Sequence, residues 1–329
     1  MGGIGSASGK LILFGEHAAV HGYRAVGVSL PEKTTARFWT DVTGDWDLSD
    51  LAGADREMVR RVLQRLEELL PGLSVQGRCK VTLASDVPRG VGFGSSAALC
   101  AALARAALAH AGGSVHADDA GSPFQGSPLD EWSLAHDAER LFHGTPSGID
   151  TGLAILDGLF AFRPHPPALP EYQPLSGAPL HLVVAAVPRS ASCGALVALL
   201  GQRMKTGHQE TRDAVRDLGA MAEAAQKAIA GPAADGARDI ADLADTAMDR
   251  LRRLGLSSQW LDRLLAAGKK AGALGGKLSG AGGGGAFFLV TSDTAAAGQV
   301  VSAVEKEAEA AGIRLAAPAR LLSTGGGSD

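Results

Sequence analysis

A glycine-rich loop that runs directly into an alanine-rich segment constrains this chain more than any other feature of its sequence. Residues 88–98 read Pro-Arg-Gly-Val-Gly-Phe-Gly-Ser-Ser-Ala-Ala, and the residues that follow are rich in Ala and Leu. Glycines leave the backbone N–H groups of a loop unobstructed, and the N-terminus of a helix carries partial positive charge, so this combination favours a bound anion. The sequence therefore predicts that residues 88–98, called the phosphate loop below, hold a phosphate group.

The Walker A motif, the commonest phosphate-binding motif of nucleotide-binding proteins, does not account for this loop. That motif ends in Gly-Lys-Ser or Gly-Lys-Thr after an upstream glycine at a fixed spacing. In this chain Gly9-Lys10 and Gly276-Lys277 are each followed by leucine and lack the upstream glycine. We therefore exclude a protein of the Walker A class.

Length and charge restrict the remaining classes. With 329 residues the chain is long enough for one large domain or two of ordinary size, and we expect two. The formal net charge of −4 provides no cationic field, and no dense run of Lys and Arg is interleaved with aromatic residues. These observations argue against nucleic acid as a partner. Acidic small molecules have to be bound by local groups.

Cysteine usage and hydropathy predict a cytoplasmic protein. Cys79, Cys100 and Cys193 form no Cys-x-x-Cys pair and no metal-binding spacing with histidine, and an odd number is a poor basis for disulfides. No apolar run approaches the roughly 20 residues that span a bilayer. Near the N-terminus, Gly15-Glu16-His17 interrupts the apolar stretch that a signal peptide would need. We therefore expect a reducing compartment and no membrane partner.

Hydrophobic periodicity predicts helices and strands along the whole chain. The expected helices are at 58–70, 97–111 and 129–142, followed by several amphipathic helices that end near residue 272. The expected strands are at 10–14, 34–39, 78–84, 180–187 and 286–290. Short apolar segments lie at 153–156 and 159–162, and the sequence contains no internal repeat.

Two stretches rich in Gly, Ser, Asp or Pro predict irregular connections. Residues 112–128 read as a surface loop, and whether this loop forms a lid is left open. The prolines of residues 164–179 predict a linker, because proline blocks helix continuation and ladder pairing. We therefore predict an N-terminal domain at 1–175 and a C-terminal domain at 176–329.

A second glycine-rich segment, Gly280-Ala-Gly-Gly-Gly-Gly285, is called the glycine loop below. It formally satisfies the Gly-x-Gly-x-x-Gly pattern of dinucleotide-binding proteins, but that pattern requires a helix after the loop. Residues 286–290, Ala-Phe-Phe-Leu-Val, predict a strand instead. This context argues against a dinucleotide oxidoreductase. A flexible surface turn is the alternative, although so many glycines are entropically costly to order unless another group approaches the backbone closely.

Three separated segments together resemble the signatures of the GHMP kinase superfamily, which includes galactokinase, homoserine kinase, mevalonate kinase and phosphomevalonate kinase. The first motif is Ser8-Gly-Lys-Leu-Ile-Leu-Phe-Gly-Glu-His-Ala-Ala-Val-His-Gly22, the second is the phosphate loop, and the third is Lys277-Leu-Ser-Gly-Ala-Gly-Gly-Gly-Gly285. Within the superfamily, residues 15–22 and the segment Glu139-Arg-Leu-Phe-His-Gly-Thr-Pro-Ser-Gly-Ile-Asp150 are similar to mevalonate kinases. The resemblance extends from about residue 6 to residue 290.

This resemblance implies an α+β, two-domain GHMP kinase fold with the active site in the interdomain cleft. It also implies ATP and Mg²⁺ as cofactors and mevalonate as the acceptor, phosphorylated on its 5-hydroxyl in isoprenoid biosynthesis. By the same resemblance Asp150 matches the catalytic aspartate that accepts the proton of the substrate hydroxyl. Lys10 matches the lysine that pairs with this aspartate and lowers the pKa of the hydroxyl.

The resemblance also assigns binding roles. Ser96 and Glu139 match the Mg²⁺ ligands, and Mg²⁺ characteristically takes few protein oxygens. The expected ATP-binding residues are Gly90, Gly92, Gly94, Ser95, Ser96, Ala97, Gly282 and Gly283. The expected substrate-binding residues are His17, Glu16 and Arg189.

One segment departs from the family pattern. Mevalonate kinases commonly carry a threonine after the first strand of the second domain, whereas this chain reads Val187-Pro-Arg-Ser-Ala-Ser-Cys193. Arg189 is retained, but the threonine falls on Ala191 or Cys193. The cationic or potentially cationic groups expected near the acceptor are Lys10, Arg189 and His17. This number suits one carboxylate, so the sequence predicts mevalonate rather than phosphomevalonate.

Other interpretations stay open at the level of sequence. Taken singly, Lys10 fits a solvated lysine at a strand end, Glu139 and Asp150 fit ordinary carboxylates, His17 fits a buried structural histidine, and His21 is taken as structural. For the whole chain the alternatives are another GHMP kinase, acting on phosphomevalonate, homoserine or a sugar, and a catalytically silent nucleotide-binding homologue. Joint retention of a base, a lysine and a metal-binding carboxylate argues against the silent homologue. Oligomeric state, a homodimer included, is left open, as are nucleotide preference and feedback inhibition by prenyl diphosphates.

Overall fold

A computed structural model describes residues 2–39, 45–70, 73, 79–112, 128–190, 193–231 and 236–324 of the chain. The interior of the expected loop at 112–128 lies outside the described residues, and so does Ala191. The strands are β1 (Ile4–Phe14), β2 (Ala25–Trp39), β3 (Lys80–Ser85), β4 (Leu159–His165), β5 (Ala168–Pro174), β6 (His181–Val187), β7 (Gly275–Leu278), β8 (Gly285–Thr291) and β9 (Ala317–Ser323). The α-helices are α1 (Gly53–Leu69), α2 (Ser95–Ala111), α3 (Pro128–His143), α4 (Ile149–Leu156), α5 (Cys193–Lys205), α6 (Gln209–Ala230), α7 (Gly236–Arg253), α8 (Gln259–Lys270) and α9 (Thr294–Ala310).

The helices and strands predicted from periodicity are confirmed, with different ends. Strands β1 and β2 begin well before the predicted starts at residues 10 and 34. The added part of β1 is rich in Gly and Ser, so it carries no apolar alternation from which a strand could be predicted. The apolar segment at 153–156 is helical and forms the end of α4.

The linker predicted at 164–179 is wrong over most of its length. Residues 164–174 complete β4 and form β5, and the two strands pair as an antiparallel hairpin in which Phe162 lies opposite Tyr172. Strand β5 is the last strand of its sheet. A strand at an edge has only one neighbour, so its prolines interrupt no second ladder of hydrogen bonds. The domain boundary at 175/176 stays a prediction.

The chain divides into two compact units, each assembled from separate stretches. Unit 1 comprises Met1–Gly9, Ser29–Val87 and Gly94–Asp157, and unit 2 comprises Lys10–Val28, Pro88–Phe93 and Gly158–Asp329. One sheet has the strand order β1-β2-β4-β5, with β3 also paired to β2, and the second sheet has the order β7-β8-β6-β9. The mixture of helices with these sheets confirms the predicted α+β class.

Helix α2 is the centre of unit 1 and packs against α1, α3 and α4. Nearly all of its alanines are buried, and their small side chains allow other elements to approach its backbone. At Gly5 of β1, an ideally placed Cβ would lie 2.2 Å from the carbonyl oxygen of Ala102, so only glycine permits this approach. This packing positions the N-terminus of α2, where the phosphate loop ends.

The second sheet forms the core of unit 2. Its pairs β6–β8, β6–β9 and β7–β8 are antiparallel, and every residue of β8 is buried. Helices α7, α8 and α9 pack against this sheet. Strand β8 begins at Gly285, so a strand does follow the glycine loop, as the sequence predicts. Among the described residues, none of the helices combines the length and apolar character required to cross a membrane.

Candidate active site

The phosphate loop has the backbone conformation that its glycines predict. Gly90, Gly92 and Gly94 have φ angles of 74°, 102° and 78°, in the region where L-residues with side chains are strained. Gly94 is the N-cap of α2, so Ser95 and Ser96 open the first turn of that helix. The first N–H groups of a helix have no acceptor within the helix, and the helix dipole favours negative charge at this end. The local geometry is therefore suited to an anion.

The two predicted metal ligands are brought together in unit 1 by a third residue. The Glu139 side chain on α3 is 1% exposed, and its Oε1 lies 4.0 Å from Nε2 of His143. The Ser96 hydroxyl at the start of α2 lies 3.3 Å from the same Nε2. Both oxygen donors thus converge on one imidazole. Hydroxyl and carboxylate oxygens suit a hard divalent cation, which would take its remaining ligands from water or phosphate.

Sequence reasoning missed His143. It lies four residues after Glu139 on α3, and side chains at this spacing share one face of a helix. The spacing was therefore a usable signal. Among the described residues, no three His, Cys, Asp or Glu side chains gather into a metal cage.

Asp150 lies in the first turn of α4, where the helix dipole favours a negative charge. The start of this helix is held by the Gly148 carbonyl, which accepts hydrogen bonds from Trp132 Nε1 at 2.9 Å and from Thr151 Oγ1 at 3.1 Å. The carboxylate is half-buried. A carboxylate on a fixed helix start suits a base that must be aligned with a hydroxyl group.

Lys10 is a buried residue of β1, with 5% of its surface exposed, rather than a solvated lysine at a strand end. Its backbone N–H donates to the carbonyl of Phe93 at 2.8 Å. This bond ties the first motif to the part of the phosphate loop that belongs to unit 2. The catalytic role of the lysine stays a prediction.

Glu16, expected to contact substrate, forms a buried ion pair with Lys277. The Lys277 ammonium group also donates to the carbonyls of Leu13 at 3.0 Å and Leu278 at 2.7 Å, and it lies over the ring of Phe288 at 5.3 Å from the centroid. Burial raises the pKa of Glu16 and lowers the pKa of Lys277, and the attraction between the two groups opposes both shifts. Sequence reasoning used Lys277 to exclude the Walker A motif and to delimit the third motif, and gave it no partner.

His17 is buried, and its Nε2 lies 3.0 Å from the carbonyl oxygen of Ala281 in the glycine loop. Burial lowers the pKa of His17 to about 4, so the ring is neutral near pH 7. A carbonyl only accepts hydrogen bonds, so Nε2 carries the proton and Nδ1 is left as an acceptor. The sequence-based count of His17 as a potential cation is therefore wrong. A neutral ring with an acceptor nitrogen suits a hydroxyl group rather than a carboxylate.

A further side-chain bridge joins the first motif to the third. The Ser279 hydroxyl donates to the carbonyl of Ile12 at 2.8 Å, and the N–H of Ile12 lies 3.1 Å from the same oxygen. Together with Glu16–Lys277 and His17–Ala281, this bridge holds two segments in register that are more than 260 residues apart in sequence. Both segments belong to unit 2.

Close backbone contacts and positive φ angles account for glycines in the glycine loop. Gly282 has a φ of 86°, and an ideal Cβ there would lie 2.4 Å from the carbonyl oxygen of Leu256. Gly283 donates its N–H to the same carbonyl at 2.8 Å and accepts a hydrogen bond from Ser190 N at 2.8 Å. Arg189, expected near the acceptor, lies with its guanidinium group against glycines of both loops. The assignments of Gly282 and Gly283 to ATP and of Arg189 to the acceptor stay predictions.

Two family models match separate parts of the chain. The family model described as the GHMP kinases N-terminal domain matches residues 57–158, and the model described as the GHMP kinases C-terminal matches residues 221–310. The chain belongs to the GHMP kinase superfamily.

Several curated relatives of this GHMP kinase are named mevalonate kinase. The chain is 25% identical over 302 residues to a mevalonate kinase of Pyrococcus abyssi, with 85% of each chain covered. The fold is shared with a solved L. major mevalonate kinase in complex with R-mevalonate, at a TM-score of 0.77 and 21% identity over 98% of this chain and 96% of that one. It is also shared with a Streptococcus pneumoniae phosphomevalonate kinase in complex with phosphomevalonate and AMPPNP, at a TM-score of 0.74 and 15% identity over 97% and 99%.

Proposed function

We propose that this GHMP kinase transfers the γ-phosphoryl group of ATP to the 5-hydroxyl of mevalonate. The observation that carries the proposal is the segment from Glu139 to Asp150, which resembles mevalonate kinases in sequence. It presents the buried carboxylate of Glu139, which shares the neighbour His143 with Ser96, and the half-buried carboxylate of Asp150 at the start of α4. The name shared by the curated relatives supports the same acceptor.

The roles of the chain's own groups follow from what phosphoryl transfer requires. Asp150 accepts the proton of the acceptor hydroxyl, and the positive charge of Lys10 lowers the pKa of that hydroxyl. The first turn of α2 and the glycines of the phosphate loop bind the phosphates of ATP. Ser96 and Glu139 would hold Mg²⁺, which, when bound, offsets the negative charge of the phosphate oxygens.

The charges in unit 2 favour mevalonate over phosphomevalonate. An acceptor with a carboxylate at one end and a phosphate at the other needs several cations beyond those that serve ATP. His17 is neutral, and the ammonium group of Lys277 is paired with Glu16. The cations left for an acceptor are therefore fewer than the sequence suggested, which disfavours an acceptor with two anionic ends. The neutral His17 can accept a hydrogen bond from one of the hydroxyl groups of mevalonate.

The test is an ADP-release assay with mevalonate, phosphomevalonate, homoserine and galactose as separate acceptors. We expect kcat/KM to be highest for mevalonate. A preference for another acceptor would contradict mevalonate as the substrate but would still agree with GHMP kinase activity. Absence of ADP release with all four acceptors would support the catalytically silent homologue. Asp150→Asn serves as the control for contaminating kinases. It should lower kcat by about two orders of magnitude or more while a non-hydrolysable ATP analogue still binds.

A further inference from the structure

Three segments that are distant in sequence meet at Arg189 in unit 2. The carbonyl of Val91 in the phosphate loop accepts a hydrogen bond from Ala286 N at 2.6 Å, directly after the glycine loop. Ser190 donates to the carbonyl of Gly283 through its N–H at 2.8 Å and through its hydroxyl at 3.0 Å. Arg189 therefore precedes a residue that is hydrogen-bonded to the glycine loop. The residue directly after the glycine loop is in turn hydrogen-bonded to the phosphate loop.

The guanidinium group of Arg189 occupies space that side chains would take at three glycines. An ideal Cβ would lie 2.7 Å from Arg189 Nη2 at Gly92, 2.5 Å from Nε at Gly285, and 3.7 Å from Nη2 at Gly280. All three glycines have positive φ angles, of 102°, 78° and 81°. Glycine at these positions thus admits a planar cation between the two loops as well as a left-handed backbone.

The chemistry of this group matches phosphate. A guanidinium group stays charged at any physiological pH and presents parallel N–H donors that fit two phosphate oxygens at once. It adds a positive charge beside the phosphate loop, whose glycines and helix start already favour an anion. A charged donor held against these two loops is better placed for the polyphosphate of a nucleotide than for the carboxylate of an acceptor.

We infer that Arg189 binds the polyphosphate of ATP, held for that purpose between the phosphate loop and the glycine loop. The inference rests on the proposed function, because it requires that the chain bind ATP. It replaces the acceptor contact expected from the sequence. The residue acts in binding, through its Nη atoms, and no proton transfer is assigned to it.

Isothermal titration with a non-hydrolysable ATP analogue, AMP and adenosine tests the inference. Arg189→Ala should weaken binding of the ATP analogue by at least about tenfold, because a charged hydrogen-bond pair is lost, and should change adenosine binding by less than about threefold. Arg189→Lys keeps the charge but loses the planar fork, so it should give an intermediate loss. Arg163→Ala, which removes an exposed arginine of β4, is the matched control for net charge and should leave all three affinities unchanged.

A double-mutant cycle tests the contact itself. A methyl group at Gly92 would displace the Arg189 guanidinium, so Gly92→Ala should weaken ATP-analogue binding strongly in the parent chain and much less in the Arg189→Ala chain. Gly90 has a similar φ of 74°, but a Cβ there would meet nothing within 4 Å. Whatever Gly90→Ala costs in affinity, that cost should therefore be the same in both chains.

The outcomes separate this inference from the proposed function. If the parent chain binds no ATP analogue, the proposed function fails. If the parent binds the analogue and Arg189→Ala binds it equally well, only the inference fails. A raised mevalonate KM with unchanged ATP-analogue affinity would also overturn it and return Arg189 to the acceptor. An equal loss for adenosine and the ATP analogue would show a structural role instead, and thermal unfolding of each variant identifies chains that do not fold.

Discussion

His17 combines a left-handed backbone with a buried ring. Its φ of 60° is uncommon for a residue with a side chain and persists only where the surroundings enforce it. The hydrogen bond from Nε2 to the Ala281 carbonyl supplies part of that constraint. Burial then keeps the ring neutral, with a pKa of about 4 against an ordinary value of 6.5. One residue thus links the conformation of the first motif to the glycine loop and sets which groups it can bind.

The lowered pKa of His17 predicts a pH dependence of stability. As pH falls from 6.5 towards 4, His17 binds a proton in the unfolded chain but not in the folded chain. The free energy of unfolding therefore decreases over this window. The contribution of this residue to the loss is about 3 kcal/mol when the window has been crossed. His17→Gln lacks the titration, so its urea midpoint should fall less steeply with decreasing pH than that of the parent. Parallel profiles for parent and variant would contradict the prediction, and the exposed His165→Gln is the control.

At the scale of elements, the contact between α3 and α4 depends on one glycine. Trp132 of α3 is fully buried and donates to the carbonyl of Gly148, directly before α4. An ideal Cβ at Gly152 of α4 would lie 2.4 Å from Cζ2 of that indole ring. Because these two helices carry Glu139 and Asp150, the contact positions two residues of the candidate active site.

Gly152→Ala should lower the midpoint of thermal unfolding although alanine favours helices. The added methyl group forces a buried ring to move, which costs about 1–3 kcal/mol. Gly298→Ala in α9 is the matched control, because a Cβ there meets nothing within 4 Å. It should be stabilising by about 0.5–1 kcal/mol. Equal shifts of the two midpoints would mean that the ring moves freely and that the close contact has no energetic consequence.

At the scale of the whole molecule, unit 2 is closed by groups from opposite ends of the chain. The ion pair of Glu16 with Lys277 joins residues 261 positions apart, and both side chains are buried, at 2% and 0% exposure. A buried pair is weak evidence for net stability, but a single buried charge is costly. The pair therefore specifies how the two ends associate.

Lys277→Met should destabilise the protein by about 3–5 kcal/mol, because it leaves the Glu16 carboxylate buried without its partner. The double variant Glu16→Gln with Lys277→Met should recover part of that loss, since no charge is then buried. Chemical denaturation measures both free energies of unfolding. Arg263→Ala breaks the exposed pair with Glu307 and should cost at most about 1 kcal/mol. A double variant less stable than Lys277→Met alone would show that the unpaired Glu16 carboxylate is not the cause of the loss.

The sequence by itself determined most of the helices and strands, the two glycine-rich loops and the superfamily. These features depend on near neighbours along the chain: apolar periodicity specified the helices, and positive φ angles required glycine at residues 90, 92 and 94. The segment from Glu139 to Asp150 is also continuous in sequence, so its resemblance to mevalonate kinases was visible there, and the roles of its two carboxylates stay predictions. The position of His143 near Glu139 could also have been predicted, because the two residues are four positions apart on one helix.

Only the tertiary structure decided the partners and charges of the remaining site residues. The neutrality of His17, the pairing of Glu16 with Lys277 and the placement of Arg189 between two loops each involve residues about 100 or more positions away in sequence. A pKa or a counter-charge depends on burial and on which atoms lie within a few ångströms, and sequence spacing does not encode either quantity. The edge position of β5, which made its prolines acceptable, was decided in the same way.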